Sequence, residues 1–447
     1  MRQDMTEGGI VACIARFALP YMLTYILQVL YGLADLYVIG RYCDAASTAA
    51  VTNGVQVMYM FTCVMVALSM GATVCVGRAA GARDSAAVRR VVGNTMTLFA
   101  CLGVASACVM LLSREVIIGA IGTPSEAVAG ASDYLGICFA GIPFVVMYNV
   151  IASVFRGLGD TRRPMYFVAV ACVLNIGLDF LLIGWAGMGP RGAAVATVAS
   201  QTLSVVAAAA YVRLSGEWGP LRRADFAPDR RTLWGILRIG VPVALQDGFI
   251  QLSFMIIMVI ANGRGLTDAA AVGIVEKFIG VLFIVPSAML ASVAAIGAQN
   301  IGAGRDDRAR ATLRAATLIA VGFGMLIAAS MQMTPERAVG LFTNDADVIL
   351  MGGGYLRGYV WDCVLAGIHF CFSGYFTACG RSYLSFAHNI VAIVAARVPL
   401  AYAASAAYPD TLYPMGLATC AGSLLSAAIC AGLYVWIRRR AGSRPIT

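Results

Sequence analysis

Apolar residues run along this chain in blocks of twenty or more, separated by short stretches rich in Gly, Pro, Asp and Arg. A helix needs about 20 apolar residues to cross the hydrocarbon core of a bilayer. That length predicts twelve spans, near residues 10–39, 47–77, 91–112, 131–155, 165–185, 192–213, 233–261, 269–301, 312–331, 348–379, 384–405 and 414–437. Several exceed 25 residues, which predicts tilt, kinks or extension beyond the bilayer. Pro20, Pro143, Pro242, Pro286 and Pro399 are the candidate kinks.

The pattern also repeats. FALPYML (17–23) parallels IGVPVAL (239–245), setting Pro20 against Pro242, 222 residues apart. AAGARDSAAVRR (79–90) parallels NIGAGRDDRARATLR (300–314), setting Gly81 against Gly302, and FRGLGDTRR (155–163) parallels FTACGRSYL (376–384), setting Gly159 against Gly380, both 221 apart. Three anchors at nearly one offset predict two six-span lobes, 1–212 and 232–447, joined by a cytoplasmic linker at 213–231. An even number of spans per repeat makes the halves parallel, related by an axis near the membrane normal. The expected fold is an all-α polytopic membrane protein with twelve transmembrane helices in two pseudo-symmetric six-helix bundles. A cavity between the lobes is the expected substrate site, opened to either side by their rocking.

Composition sharpens this reading. Residues are 60% hydrophobic and 12% charged, with mean hydropathy +0.81, whereas a soluble domain is about 25% charged. The net charge of +9 could suggest nucleic acid, but of the 32 basic residues all except Lys277 are arginine and they cluster in alternate loops. Such clusters occur at Arg78–Arg90, Arg156–Arg163, Arg213–Arg238, Arg305–Arg314 and Arg438–Arg444. This positive-inside pattern places both termini in the cytoplasm and leaves no need for a nucleic-acid partner. The start, MRQDMTEGG, has no signal-peptide character. The 13 Cys form no C-x-x-C pair, and His369 and Cys371 lack helical ligand spacing, so the thiols read as small hydrophobes in a reduced cell. GMGPRGAAVAT (187–197) has no preceding strand and no G-K-[ST], so it reads as a tight turn, and ATP is not expected as the energy source. Gly352–Gly354 is a hinge or a close-packing site. The bias to Arg over Lys, with abundant Ala, points to a GC-rich bacterial genome.

Against this background a few polar side chains stand out, because an Asp at mid-bilayer costs about 2.5–3.5 kcal/mol on insertion scales. Asp35 lies in YGLADLYVIG, with Tyr31 and Gln28 four and seven residues before it on the same helical face. Asn149 sits in FVVMYNVIASVF. Asn175 and Asp179 share a face at i,i+4, and Thr197 and Gln201 form a third such polar pair. Two carboxylates, two amides and a hydroxyl suit either of two cations. Protons would be favoured because burial disfavours a bare carboxylate; sodium would take the same oxygens, at Asp35, Asn175 and Asp179. Two acids close together would titrate as a pair. The plainer reading, hydrogen bonding between helices, applies best to Asn149 and Thr197. It explains the acids poorly, because Arg16 shares a span with Asp35 but stands at its far end. The repeat supplies a control: the offset sets Ile257 opposite Asp35, and Ala396 and Leu400 opposite Asn175 and Asp179. The second half keeps the scaffold without these acids, which predicts one cation site, in the first half.

The second half has polar positions of its own. Glu276 and Lys277 are adjacent in span eight and point in different directions. Glu276 facing a central cavity would attract cationic substrates, with Met255, Met258 and Met289 as adaptable lining. Met at helical spacing also serves as plain packing. Asp247, Asp362 and His388 read first as span ends or local hydrogen bonds.

Three stretches carry a resemblance over nearly the whole chain: LPYMLTYILQVLYGLADLYVIGR, SMGATVCVGRAAGARD, and above all FRGLGDTRRPMYFVAVACVLNIGLDFLLIGWAGMGPRGAAVATVASQ. In the spacing of RGLGDT, N-x-x-x-D and G-x-x-G-A-A-x-A-T, the chain resembles the MATE (multidrug and toxic compound extrusion) transporters. By that resemblance Asp35, Asn149, Asn175, Asp179 and Thr197 match the first-lobe cation site of the prokaryotic DinF-like branch, and Tyr31 and Gln28 match residues lining the substrate chamber. Span seven carries Ile250 and Gln251 where the NorM-like branch has an acid. The resemblance implies an antiporter of the cell inner membrane, exchanging H+ or Na+ for organic, often cationic amphipathic compounds by alternating access. It implies small organic partners, no cofactor and no enzymatic activity, and a monomer is expected. Cation binding at Asp35 and Asp179 is expected to alter the packing or bend of span one near Pro20. The main alternative, a lipid-linked precursor flippase of the same superfamily, would place several Arg in the central cavity. Here only Lys277, Arg357 and Arg397 lie deep in spans. An intramembrane enzyme would need a nucleophile–base pair or a metal cluster, which His369 and His388 do not supply.

Overall fold

The computed structural model describes residues 4–216, 218–219 and 221–441; Arg444 of the basic tail and two positions of the 213–231 segment lie outside the described residues. Regular structure among the described residues is helical throughout. Eleven of these helices are long and apolar enough to cross a membrane. They are α1 (Ile10–Tyr42), α2 (Ala45–Gly81), α3 (Ser85–Leu112), α4 (Ser125–Gly157), α5 (Arg162–Trp185), α6 (Gly189–Ser215), α7 (Arg230–Asn262), α8 (Leu266–Gly302), α9 (Asp306–Met333), α11 (Ser382–Ala407) and α12 (Tyr413–Arg439). The twelfth, α10, is two pieces, Ala346–Tyr359 and Asp362–Ala378, parted at Val360–Trp361. The span expected at 348–379 is therefore present but broken, each piece being too short to cross alone.

The ends of these helices follow their sequence. Asp44 caps α2 by accepting the Ser47 amide at 2.9 Å. Asp84 caps α3 by accepting the Ala86 and Ala87 amides at 3.0 and 2.9 Å. Each carboxylate satisfies amides that a first helical turn leaves free. The prolines act in two ways. Pro20, Pro143 and Pro242 lie inside α-helical runs that continue through them. Near Pro286 the α8 run divides at Phe283, so that the proline falls in the first turn of Ile284–Gly302, where its missing N–H costs nothing. Near Pro399 the helix instead widens into a π turn at Ile393–Arg397, closed by Val398 N–H donating to the Ile393 carbonyl. α5 widens likewise at Phe180–Trp185, where Ala186 N–H donates to the Leu181 carbonyl at 2.9 Å.

The chain forms two compact units. The first holds residues 4–5 and Leu19–Gly240, and the second holds Thr6–Ala18 and residues 241–441. The described part of the segment expected as a linker thus belongs to the first unit. Trp218 is buried against Phe155, ring centroids 5.4 Å apart. Asn94 of α3 donates to the Asp225 carbonyl at 3.2 Å and accepts the Asp229 amide at 2.7 Å, while Thr97 donates to the Phe226 carbonyl at 2.9 Å. The first turns of α7 reach α2 through glycine. A methyl group on Gly71 would stand 2.1 Å from the Ile236 carbonyl oxygen, and one on Gly240 would stand 2.2 Å from that of Leu68. In the second unit, Arg305 and Arg308 donate to the carbonyls of Thr6 and Gly8 at 2.5 and 3.0 Å, which fixes the approach to α1.

Gly240→Ala is therefore expected to lower thermal stability in detergent by about 1–3 kcal/mol, the usual cost of overpacking a close contact. Gly322→Ala, whose methyl group meets nothing within 4 Å, is expected to leave it unchanged or slightly raised. Equal melting temperatures for both variants would show that α2 and α7 do not depend on this approach.

Candidate cation site in the first unit

α1 and α5 bring three of the expected residues together. Asp35 is 3% exposed, and Asn175 and Asp179 are 0% exposed. With its amide nitrogen turned to the acids, Asn175 donates to Asp35 Oδ1 at 2.8 Å and to Asp179 Oδ2 at 3.2 Å. The two carboxyl groups also lie within hydrogen-bonding reach of each other. At such range in a low-dielectric interior, two bare carboxylates repel strongly. Asp179 Oδ1 is buried with no hydrogen-bond partner among the described residues.

The local chain explains the arrangement. Helical periodicity sets Asn175 and Asp179 on one face of α5. Asp179 is its last α-helical residue before the wide turn at Phe180–Trp185. Turns of that kind are frequent at functional sites. The Cys172 thiol donates to the Leu27 carbonyl at 3.9 Å, a weak stitch between α5 and α1.

Around this triad stand further polar groups. Tyr31, one turn before Asp35, lies close to Asp35, Thr197, Cys138 and Asp179. On α6, the Thr197 hydroxyl lies within hydrogen-bonding reach of Tyr31, and Gln201 Oε1 is buried with no partner among the described residues. Gln28 is exposed. Asn149, on α4, is buried but spends its amide nitrogen on the Val145 carbonyl of its own helix, at 2.9 Å. The α4 residues Tyr134 and Cys138 also lie near Asp35, and the sequence reading did not single them out. Their i,i+4 spacing, one turn apart on a single face, was the available signal.

The second-half candidates are dispersed. Met289 is buried packing and Met255 is exposed. Met258 is half-buried. Glu276 lies within the field of Arg397, and its neighbour Lys277 is exposed. His388 is fully buried between hydroxyls, with Nε2 2.9 Å from Ser373 Oγ and Nδ1 2.7 Å from Ser426 Oγ. Among the described residues no group of three or more His, Cys, Asp or Glu is placed to hold a metal ion.

Among the described residues, eleven membrane-length helices and a broken twelfth, in two units with a pair of acids buried inside one of them, define a polytopic membrane protein. More particularly, the chain belongs to the MatE family, whose profile matches it twice, over residues 20–181 and 242–403. The two matches follow the internal repeat. The chain is similar to the probable multidrug resistance protein YoeA of Bacillus subtilis, 25% identical over 90% of this chain and 89% of that one. It is also similar to the probable multidrug resistance protein NorM of Thermotoga maritima, 29% identical over 75% and 72%. In fold it matches an outward-facing multidrug resistance MATE family transporter of the MOP superfamily, with TM-score 0.90 and 23% identity over 99% and 98% of the two chains.

The shared amide makes the acids interdependent. In thermal unfolding of the detergent-solubilised protein, Asp35→Asn, Asp179→Asn and the double variant are expected to be non-additive, with a coupling energy of about 0.5–3 kcal/mol. Additive effects would show that the two carboxyl groups do not meet.

Proposed function

We propose that this transporter exports organic, often cationic amphipathic compounds in exchange for a cation taken up at Asp35 and Asp179, and that the cation is the proton. The observation that carries the reading is the Asp35–Asn175–Asp179 triad. A hydrogen bond between two carboxyl groups needs a proton on one of them. Asn175 bridges the two acids with its amide, which holds them together at one point. Sodium is the second reading, favoured by the buried unpartnered oxygens of Asp179 and Gln201. Relatives named as multidrug resistance proteins support the substrate class. The absence of both acids from the second repeat supports a single site of the DinF-like kind.

A cation drives transport only if its affinity differs between two conformations. α1 is the element suited to carry that difference. It bears Asp35, it runs unbroken through Pro20, and its membership passes from the second unit to the first at Ala18–Leu19, beside that proline. Thr24 Oγ1 donates to the Pro20 carbonyl at 2.9 Å, a back-bond of the kind that bends membrane helices. Gain or loss of the proton at Asp35 then alters how α1 packs on α5, and the alternating exposure of the substrate follows. The arginine-rich loops orient both termini to the cytoplasm. The flippase alternative is weakened by the state of the deep basic residues. Arg357 pairs with Glu336 at 3.1 Å, and Arg397 donates to Tyr359.

Uptake of a cationic dye into inverted vesicles, where export becomes accumulation in the lumen, tests the reading. An imposed pH gradient is expected to drive wild-type transport, and Asp35→Asn and Asp179→Asn are each expected to lower the driven rate by roughly tenfold or more. Wild-type rates in both variants would overturn the cation site. Drive by a sodium gradient alone would reassign the ion.

A further inference from the structure

The second unit holds a small, partly open cavity of about 60 Å³ among α7, α8, α10, α11 and α12, and Asp362 and Arg397 both line it. His369, Ser423 and Phe254 are among its other walls. Drug-sized ligands occupy about 300–1,000 Å³, so this space is no substrate chamber. It admits only water-sized occupants. What distinguishes it is charge. Asp362 is 2% exposed, and its Oδ1, like Arg397 Nε, has no hydrogen-bond partner among the described residues. Arg397 Nη2 donates to Tyr359 Oη at 3.0 Å, and the guanidinium stands 4.5 Å from the Phe254 ring centroid. Glu276 lies within the same field as Asp362 and Arg397, and its Oε1 is also unpartnered. A lone buried charge is costly, whereas opposite charges facing one another compensate.

The repeat gives this cluster its meaning. Arg397 follows Ala396, the counterpart of Asn175, so the helix that carries the acid-binding amide in the first unit carries a fixed cation in the second. The wide turn at Ile393–Arg397, next to Pro399, is the local feature that sets its direction. A guanidinium holds its proton at any physiological pH, so this cation does not leave.

We propose that Arg397 is a tethered cation that neutralises Asp362 within the second unit, so that this unit takes up no coupling cation and coupling is confined to the first. The proposal rests on the reading of Asp35 and Asp179 as the coupling site. Without Arg397, Asp362 and Glu276 become two buried acids with no fixed cation beside them, His369 in the same wall being a titratable base, which brings them close to the condition of Asp35 and Asp179 in the first unit. Arg397→Gln therefore creates a second cation site, and Arg397→Lys preserves the single one.

Cation binding to purified protein in detergent, counted by bound radioactive sodium and by protons exchanged on adding a cationic dye, provides the test. Wild type is expected to show one binding event per chain, lost in Asp35→Asn and unchanged in Asp362→Asn. Arg397→Gln is expected to gain a second event, which Arg397→Gln combined with Asp362→Asn loses again. Arg397→Gln protein that keeps the first event and gains no other overturns the proposal. So does a changed count in Asp362→Asn, a variant that needs no loss of Arg397 to be informative. A wild-type event that survives Asp35→Asn would refute the first-unit site instead, and the Arg397 comparison would still read out the second.

Discussion

A carboxylate inside a bilayer has no water to solvate it, and the first unit is organised around meeting that need twice over at one point. Asp35 comes from α1 and Asp179 from α5, and neither has a basic residue beside it. Their compensation is a single amide, Asn175, shared at 2.8 and 3.2 Å, together with each other. Two acids that share one donor are held stably only when a proton or another cation joins them. Any change in that occupancy must be answered by the helices that bear them. The pair is thus costly when bare and stabilising when filled, and that difference is what an exchanger requires.

The scaffold confines the response. α2 and the first turns of α7 approach through Gly71 and Gly240 closely enough that neither tolerates a methyl group without movement. Trp218, Asn94 and Thr97 tie the 213–231 segment down onto the same unit. With those elements fixed, the proposed coupling makes α1 and α5 the places where occupancy of the acids would act. Both α5 and α11 depart from regular α-helix close to their charged residues. One departure follows the acids of the first unit and the other ends at Arg397 of the second. The same repeat has been fitted with opposite charge in its two copies.

Much of this was legible from the residues alone, and the limits have physical causes. Helical period fixes which residues share a face, so the pairing of Asn175 with Asp179 and of Tyr31 with Asp35 could be read directly. The reach of Asn175 across to α1 could not, because packing between helices sets it. Asn149 shows the converse. Its nitrogen bonds locally to the Val145 carbonyl, a bond to its own helix that residue type alone does not reveal. The break in α10 at Val360–Trp361 carries neither Pro nor Gly, so an apolar run reads as one span where the backbone makes two. Charge and Pro–Gly punctuation marked 213–231 as a linker, and did not show how closely it packs on the first unit. The buried Trp218 was the contrary signal, since such a ring is rarely left without a pocket. Pro20 suggested a kink, and α1 continues through it because neighbouring groups in a membrane bundle can satisfy what proline leaves open.

The central claim is that Asp35 and Asp179 share a proton. Infrared difference spectroscopy of the reconstituted protein across a pH titration tests it most directly. The account predicts a protonated-carboxyl stretching band that is lost as pH rises, and that disappears in both Asp35→Asn and Asp179→Asn because the bond needs both partners. A band that persists unchanged in either variant, or no such band in the wild type, would contradict it.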